Sequence, residues 1–199
     1  IQREIDRMLE KTRKNVEQSY DAVLAGDAGR LEEIQEREDY IDYLNGEIAR
    51  YIVSLMSVEM SERDTKSINS YYLMLGNVER IGDHAINIAE YTQFMKKWEI
   101  RLTEEEKEEI VKMKEISRQT LEALSLEDET KSAEILARVS EGEKEIDEMQ
   151  KKYLKRQIKR AKKGESKAEC GIMFSEMLTD FERIGDYALN VAQLYDEMA

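Results

Sequence analysis

The chain repeats itself, and this repeat constrains its fold more than any other feature of the sequence. Residues 78–90 read VERIGDHAINIAE and residues 181–193 read FERIGDYALNVAQ, with eight of the thirteen positions identical at an offset of 103 residues. A shorter match pairs EDYID at 38–42 with EKEID at 143–147, at an offset of 105 residues. Two matches in the same order at nearly the same offset indicate a duplicated unit of about half the chain.

Composition and periodicity predict that each unit is built from helices. The 199 residues include no Pro and only 9 Gly, and the hydrophobic 41% recurs at helical spacing, which a disordered chain would not show. Apolar spacing and capping residues predict six helices, at about 3–24, 29–57, 62–98, 103–125, 129–163 and 166–198. We therefore predict an all-α fold of six long antiparallel helices, divided into three-helix bundles of residues 1–98 and 103–199.

Charge excludes some partners and leaves others open. The net charge of −13 argues against nucleic-acid binding, which needs a basic surface. One basic stretch runs from Lys151 to Lys167, and it is either a solvated helix face or a docking patch for an acidic partner or an anionic membrane. The single cysteine, Cys170, has no internal disulfide partner, which fits a reducing compartment. Its neighbours in sequence are apolar, so we expect the thiol to be buried.

Acidic side chains form stripes beside the apolar faces of four predicted helices. On a helical wheel Glu79, Asp83 and Asn87 share one stripe, and Glu38 and Asp42 lie next to the apolar face of the preceding helix. Neighbouring helices are therefore expected to bring the two acidic pairs together. Carboxylate and amide oxygens are ligands for hard or intermediate cations such as Mg, Ca, Mn and Fe. Solvated acidic faces without any metal remain the alternative.

Two glycines lie inside predicted helices, at equivalent positions of the repeat. Gly82 and Gly185 each cost about 0.5–1 kcal/mol of helix stability relative to Ala. We expect a neighbouring helix to approach closely at both positions.

The repeated motifs resemble those of the PhoU family of phosphate-transport regulators. ERIGDHAINIAE, ERIGDYALNVAQ and the two E-x-x-I-D blocks match the family's motifs in order, over essentially the whole chain. The resemblance implies two three-helix bundles related by a pseudo-twofold axis. In some members of the family the E-x-x-x-D motifs carry multinuclear iron or other metal clusters. The resemblance therefore implies that this chain binds metal ions, which are expected to be Fe, Mn, Zn, Mg or Ca. The implied ligands, with the two asparagines as supporting oxygens, are Glu38, Asp42, Glu79, Asp83, Asn87, Glu143, Asp147, Glu182, Asp186 and Asn190. Gln193 stands where the first copy has Glu90, which makes the two predicted sites chemically different.

The resemblance also implies a role in controlling phosphate uptake. The leading expectation is a non-enzymatic, metal-binding regulatory domain that forms the cytosolic tail of a sodium-dependent phosphate transporter, tethered to the inner membrane through a transporter domain. The first residue, Ile1 in place of Met, favours that interpretation. The alternatives are a stand-alone PhoU-type regulator of phosphate ABC transport and signalling, and a metal-free helical adaptor. The expected partners are a phosphate transporter or its membrane domain, a phosphate-sensing histidine kinase and a second copy of the chain.

An enzymatic alternative is a carboxylate-bridged di-iron oxidase, which also uses a helical bundle. That class requires Glu-x-x-His motifs on two helices, whereas this chain contains one histidine, His84. The sequence therefore predicts no catalytic residues. His84 itself is expected to be outward-facing or at an interface.

Overall fold

The computed structural model describes all 199 residues, and its regular secondary structure is entirely helical. The all-α prediction is confirmed. The six long helices are α1 (Gln2–Ala25), α2 (Leu31–Met56), α3 (Glu62–Trp98), α4 (Glu104–Ala123), α5 (Ser132–Lys162) and α6 (Ala168–Asp196). None of them is long and apolar enough to cross a lipid bilayer.

Residues at the helix ends explain where the helices start and stop. Thr103 and Glu106 form a reciprocal capping box at the start of α4, and Ser61 accepts a hydrogen bond from the backbone of Asp64 at the start of α3. Gly26 ends α1 in the left-handed region at φ 60°, a conformation that glycine adopts without steric cost. Short 3-10 turns at Ala28–Arg30 and Glu129–Lys131 precede α2 and α5, which therefore begin two or three residues later than predicted.

The two halves of the repeat pack on each other chiefly through α3 and α6, which run antiparallel, and also through α1 and α4. Asn87 donates a hydrogen bond to Asp180 over 3.1 Å, and Asn190 donates one to Asn77 over 3.1 Å. Positions 77 and 180 are equivalent in the repeat, as are positions 87 and 190, so the two contacts have the symmetry of the duplication. One continuous core of 41 buried residues extends through both halves. Because this core is shared, it does not mark a boundary between the two halves, and the division into bundles of residues 1–98 and 103–199 stays a prediction.

Asp180 is the most highly connected polar side chain between the halves. Besides Asn87, it accepts a hydrogen bond from the Tyr91 hydroxyl over 2.7 Å, and its Oδ1 lies 2.7 Å from Nδ1 of His84. The imidazole ring of His84 also stacks on the ring of Tyr187, with centroids 5.7 Å apart. His84 therefore lies at the interface between the halves.

The basic stretch at the end of α5 is only partly a solvated face. Arg160 is buried and forms an ion pair with the buried carboxylate of Glu109 on α4, at 2.7 Å. Arg156 donates to the same carboxylate over 3.2 Å. Two of the positive charges in this stretch thus join α5 to α4, while Lys152, Lys155, Lys159 and Lys162 are exposed.

The lone cysteine is buried, as its apolar neighbours predict. Cys170 is 3% exposed, and its thiol lies 3.7 Å from Glu106. Burial raises the pKa of the Cys170 thiol to about 11, so the unreactive thiol form dominates at neutral pH.

Candidate metal centres: two carboxylate clusters

The structure brings predicted acidic side chains together in the second half of the chain. Glu143 and Asp147 on α5 and Asp186 on α6 form a group, hereafter the second cluster, in which the three carboxylates each offer an oxygen within 4.8 Å of the others. All three side chains are half-buried. Glu182, one turn before Asp186 on α6, lies close enough for its charge to act on Glu143 but is not part of the group.

Burial and mutual repulsion disfavour negative charge on this group. Burial raises the pKa of Glu143, and the charges of Asp147, Asp186 and Glu182 raise it further. Burial likewise raises the pKa of Asp186 and of Glu182. The surrounding cations are exposed: Lys151 donates to Asp147 over 3.1 Å and Arg183 to Asp186 over 3.3 Å. A cation held between the carboxylates would relieve the repulsion that the side chains now share.

In the first half of the chain, the equivalent acidic residues differ in their burial and hydrogen bonds. Its acidic residues Glu38 and Asp42 on α2 and Glu79 and Asp83 on α3 are hereafter the first cluster. Glu38 is only 4% exposed, whereas its counterpart Glu143 is half-buried. One oxygen of Glu38 accepts a hydrogen bond from the Asn15 amide over 3.1 Å, while Oε1 is buried without any partner.

Gly82 makes the buried position of Glu38 possible. A Cβ atom at Gly82 would lie 2.6 Å from Oε1 of Glu38, so a side chain at this position would displace the carboxylate. The prediction of close approach at this glycine is therefore correct, although the approaching group is a carboxylate and not a helix backbone. At Gly185 the approaching group is different, because a Cβ there would meet the side chain of Ile146 at 3.1 Å.

The first cluster is also electrostatically strained. Burial raises the pKa of Glu38 to about 7, and the charges of Asp42, Asp83 and Glu79 add to the effect. Burial raises the pKa of Glu79, and partial desolvation raises that of Asp42, whose side chain stays exposed; repulsion from nearby carboxylates adds to both shifts. Near neutral pH, Glu38 is therefore a mixture of carboxylic acid and carboxylate.

Both clusters fit a divalent cation by the chemistry of their donors. Each consists of carboxylates, which suit Mg, Ca, Mn and Fe and also bind Zn. The buried Oε1 of Glu38 lacks any hydrogen-bond partner, which is uncommon for a buried polar atom. The donors of both clusters are therefore compatible with the metal that the resemblance implies, but only the second cluster has three carboxylate oxygens within 4.8 Å of one another.

The two asparagines have contacts that the sequence did not predict. The amide nitrogens of Asn87 and Asn190 are used between α3 and α6, where they donate to Asp180 and to Asn77. A role for their oxygens as supporting metal ligands stays a prediction.

Sequence reasoning missed two residues whose hydrogen bonds lead to Glu38, Asn15 directly and Arg37 through Asn15. Asn15 lies on the buried side of α1, and Arg37 directly precedes Glu38 on α2. The available signal was an amide on an otherwise apolar helix face, since a buried Asn must find hydrogen-bond partners. Its partner, Glu38, is distant in sequence, and the spacing of residues within α1 does not identify it.

Stability of the metal-free protein is expected to fall as the pH rises. Folding raises the pKa of Glu38 from its usual value of 4.5 to about 7, so the folded state binds this proton more tightly than the unfolded state. The stabilisation is complete below about pH 4 and is lost as the pH rises through 7, a difference on the order of 3 kcal/mol. Urea denaturation with a chelator at pH 5 and pH 8 measures it.

Glu38→Gln should remove this part of the pH dependence, because glutamine carries no proton to lose. The matched control is Glu36→Gln, an exposed position on the same helix, which should keep the wild-type profile. Identical pH profiles for the two variants would show that Glu38 does not hold a proton near neutral pH.

The sequence matches the model of the PhoU domain over residues 5–92 and again over residues 110–195. Among curated proteins, it is similar to a phosphate-specific transport system accessory protein PhoU homolog of Thermotoga maritima, with 23% identity over 97% of this chain and 83% of that protein. It is also similar to the homolog of Clostridium acetobutylicum, with 24% identity over 96% of this chain and 86% of that protein.

Solved structures show the same fold. PhoU from Pseudomonas aeruginosa superposes with a TM-score of 0.87 at 20% identity, over 98% of this chain and 93% of that one. The phosphate transport system regulatory protein PhoU from Streptococcus pneumoniae superposes with a TM-score of 0.83 at 20% identity, over 98% and 91%.

Proposed function

This chain belongs to the PhoU domain family, and from that premise we propose that it is a non-enzymatic regulator of phosphate transport. The observation that carries the proposal is similarity over 97% and 96% of the chain to two accessory proteins of phosphate-specific transport systems. The regulator acts on the cytosolic side of the membrane, by contact with the transporter and not by chemistry of its own.

The stand-alone form is better supported than a sodium-dependent transporter tail. The curated relatives are accessory proteins of phosphate-specific transport systems by name. We therefore propose a stand-alone regulator in place of the tail of a sodium-dependent transporter. The partner is the phosphate transport complex, and a phosphate-sensing histidine kinase is a second candidate for the same docking role.

Bound metal would link this chain to its partners. Glu143, Asp147 and Asp186 would hold one cation, and the residues of the first cluster would hold another. When bound, the cation supplies local positive charge on a chain whose net charge is −13. The carboxylates orient and retain the ion, and the half-buried setting limits competition by water.

The partner can be identified by cross-linking in the host that carries this gene. A tagged chain is cross-linked in intact cells, purified from membranes and analysed by mass spectrometry, with the same tag on an unrelated helical protein as control. Subunits of an ATP-driven phosphate transporter are the expected partners. Recovery of a sodium-dependent phosphate transporter would restore the tail-type interpretation, and recovery of no transport protein would contradict the proposal.

The metal part of the proposal predicts a definite change in stoichiometry. Purified protein exposed to Mn²⁺, Fe²⁺ or Zn²⁺ should bind more than one equivalent, and Asp147→Asn with Asp186→Asn should remove at least one. Two of the three ligands in the second cluster then lose their charge. The matched control is Glu145→Gln with Glu148→Gln, two exposed positions on the same helix. Metal content after dialysis measures the difference, and equal content in both double variants would contradict a site at the second cluster.

A further inference from the structure

A chain of hydrogen bonds holds Glu38 in its buried position. Asn15 donates through its amide to Oε2 of Glu38 over 3.1 Å and to the carbonyl of Ile34 over 3.2 Å. The carbonyl oxygen of Asn15 in turn accepts from Arg37 over 2.7 Å. Arg37 is itself fixed, because it donates to Gln18 over 2.6 Å and to Glu33 over 2.7 Å. These contacts fix the orientation of the Asn15 side-chain amide, so that its nitrogen points at Glu38.

The second half of the chain lacks both residues of this arrangement. At the repeat offset of 105 residues, Thr120 stands in place of Asn15 and Gly142 in place of Arg37. Thr120 donates to the carbonyl of Ile116 on its own helix, over 2.8 Å. A Cβ at Gly142 would lie 2.2 Å from Oγ1 of Thr120, so a side chain there would force Thr120 to move. The hydrogen bonds that fix Glu38 have no counterpart at Glu143.

The positions of Glu38 and Glu143 differ as expected if these hydrogen bonds hold only Glu38 in place. Glu143, which has no such restraint, contributes to a group of three carboxylates whose ligand atoms lie within 4.8 Å of one another. Glu38 is turned onto Gly82, and its Oε1 has no exposed surface from which a cation could approach. Asp42 and Asp83 remain exposed on the outer side of the same cluster.

We propose that Asn15 and Arg37 are positioning residues that hold Glu38 withdrawn, so that the two carboxylate clusters are not equivalent. The second cluster binds a divalent cation as it stands. The first cluster completes its ligand set only when Glu38 leaves Asn15 and turns outward, and it therefore binds the same cation at least tenfold more weakly. This inference rests on the proposed metal-binding role, and it assigns an order of filling to the two clusters.

The test isolates the first cluster and then releases Glu38. Asp147→Asn with Asp186→Asn disables the second cluster, and Asn15→Thr is added to copy the residue found in the second half. Binding of Mn²⁺ is measured by isothermal titration calorimetry and by electron paramagnetic resonance of the bound ion. In this background Asn15→Thr should tighten binding at least tenfold, and Arg37→Ala should tighten it in the same direction. Adding Glu38→Gln should abolish the gain.

Each outcome has a separate meaning. Unchanged or weaker binding after Asn15→Thr in a folded variant would overturn the positioning role while leaving metal binding intact. No Mn²⁺ binding by the wild-type chain would overturn both this inference and the metal part of the proposed function. Thermal unfolding of every variant shows which ones are folded. If Asn15→Thr does not fold, Arg37→Ala alone decides the question, because it removes the hydrogen bond to the Asn15 carbonyl oxygen and leaves Asn15 itself in place.

Discussion

Replacing Glu109 by alanine is expected to lower the free energy of unfolding by about 3 kcal/mol. Glu109 is 2% exposed and Arg160 is 4% exposed, and their charged groups meet at 2.7 Å between α4 and α5. Removing the carboxylate leaves a buried guanidinium without its principal partner. We expect the lower end of the usual range because Glu106 remains 3.7 Å from Arg160 and offsets part of its charge.

Urea denaturation of the variant measures this loss. The matched control is Glu108→Ala, which removes an exposed carboxylate next to Glu109 on the same helix and should change stability by less than about 0.5 kcal/mol. A double-mutant cycle with Arg160→Ala separates the ion pair from the packing of either side chain. Equal stabilities of the Glu109→Ala and Glu108→Ala proteins would show that the pair does not hold α4 to α5.

Replacing Asp180 by alanine is expected to lower the free energy of unfolding by about 2–4 kcal/mol. The variant should be weakened mainly at the contact between the two halves. Its carboxylate accepts hydrogen bonds from Asn87 and Tyr91 and lies 2.7 Å from His84. Without it, these polar groups of α3 have no acceptor at the interface. Asp180→Asn should lower the stability less than Asp180→Ala. At the equivalent position in the repeat, the side-chain amide oxygen of Asn77 already accepts the hydrogen bond from Asn190.

Thermal unfolding and hydrogen exchange of α3 and α6 measure the effect of Asp180→Ala. Thr179→Ala is the control, since Thr179 is exposed on the same helix. Faster exchange along both helices is the expected result for the Asp180 variant. Wild-type exchange rates together with wild-type stability would contradict a joining role for Asp180.

The sequence predicts the helices well because their signals are local. Apolar spacing places each helix, and capping residues such as Thr103 with Glu106 place its ends. The duplicated motifs predict that the two halves share an architecture, and the paired contacts Asn87–Asp180 and Asn190–Asn77 have that symmetry. The 3-10 turns before α2 and α5 were missed because Asp27 and Asp128 cap a tight turn in place of the helix itself.

The clusters were predicted less completely because they depend on contacts between distant residues. A helical wheel shows that Glu38 borders an apolar face, but it does not show that Asn15, 23 residues earlier, turns the carboxylate inward. The same limit applies to Arg160, whose partner Glu109 lies 51 residues earlier on another helix. Spacing within a helix specifies a direction from its axis, and the neighbour found in that direction depends on the packing of the whole chain.

Phosphate uptake after deletion of the gene tests the proposed function most directly. Uptake of radiolabelled phosphate and the expression of phosphate-responsive genes are measured in the deletion strain at high and low phosphate. We expect both to change, and the wild-type chain to restore them, while a chain with Asp147→Asn and Asp186→Asn restores them only in part. Unchanged uptake and unchanged expression after deletion would contradict a role in phosphate transport, whatever the metal content of the purified protein.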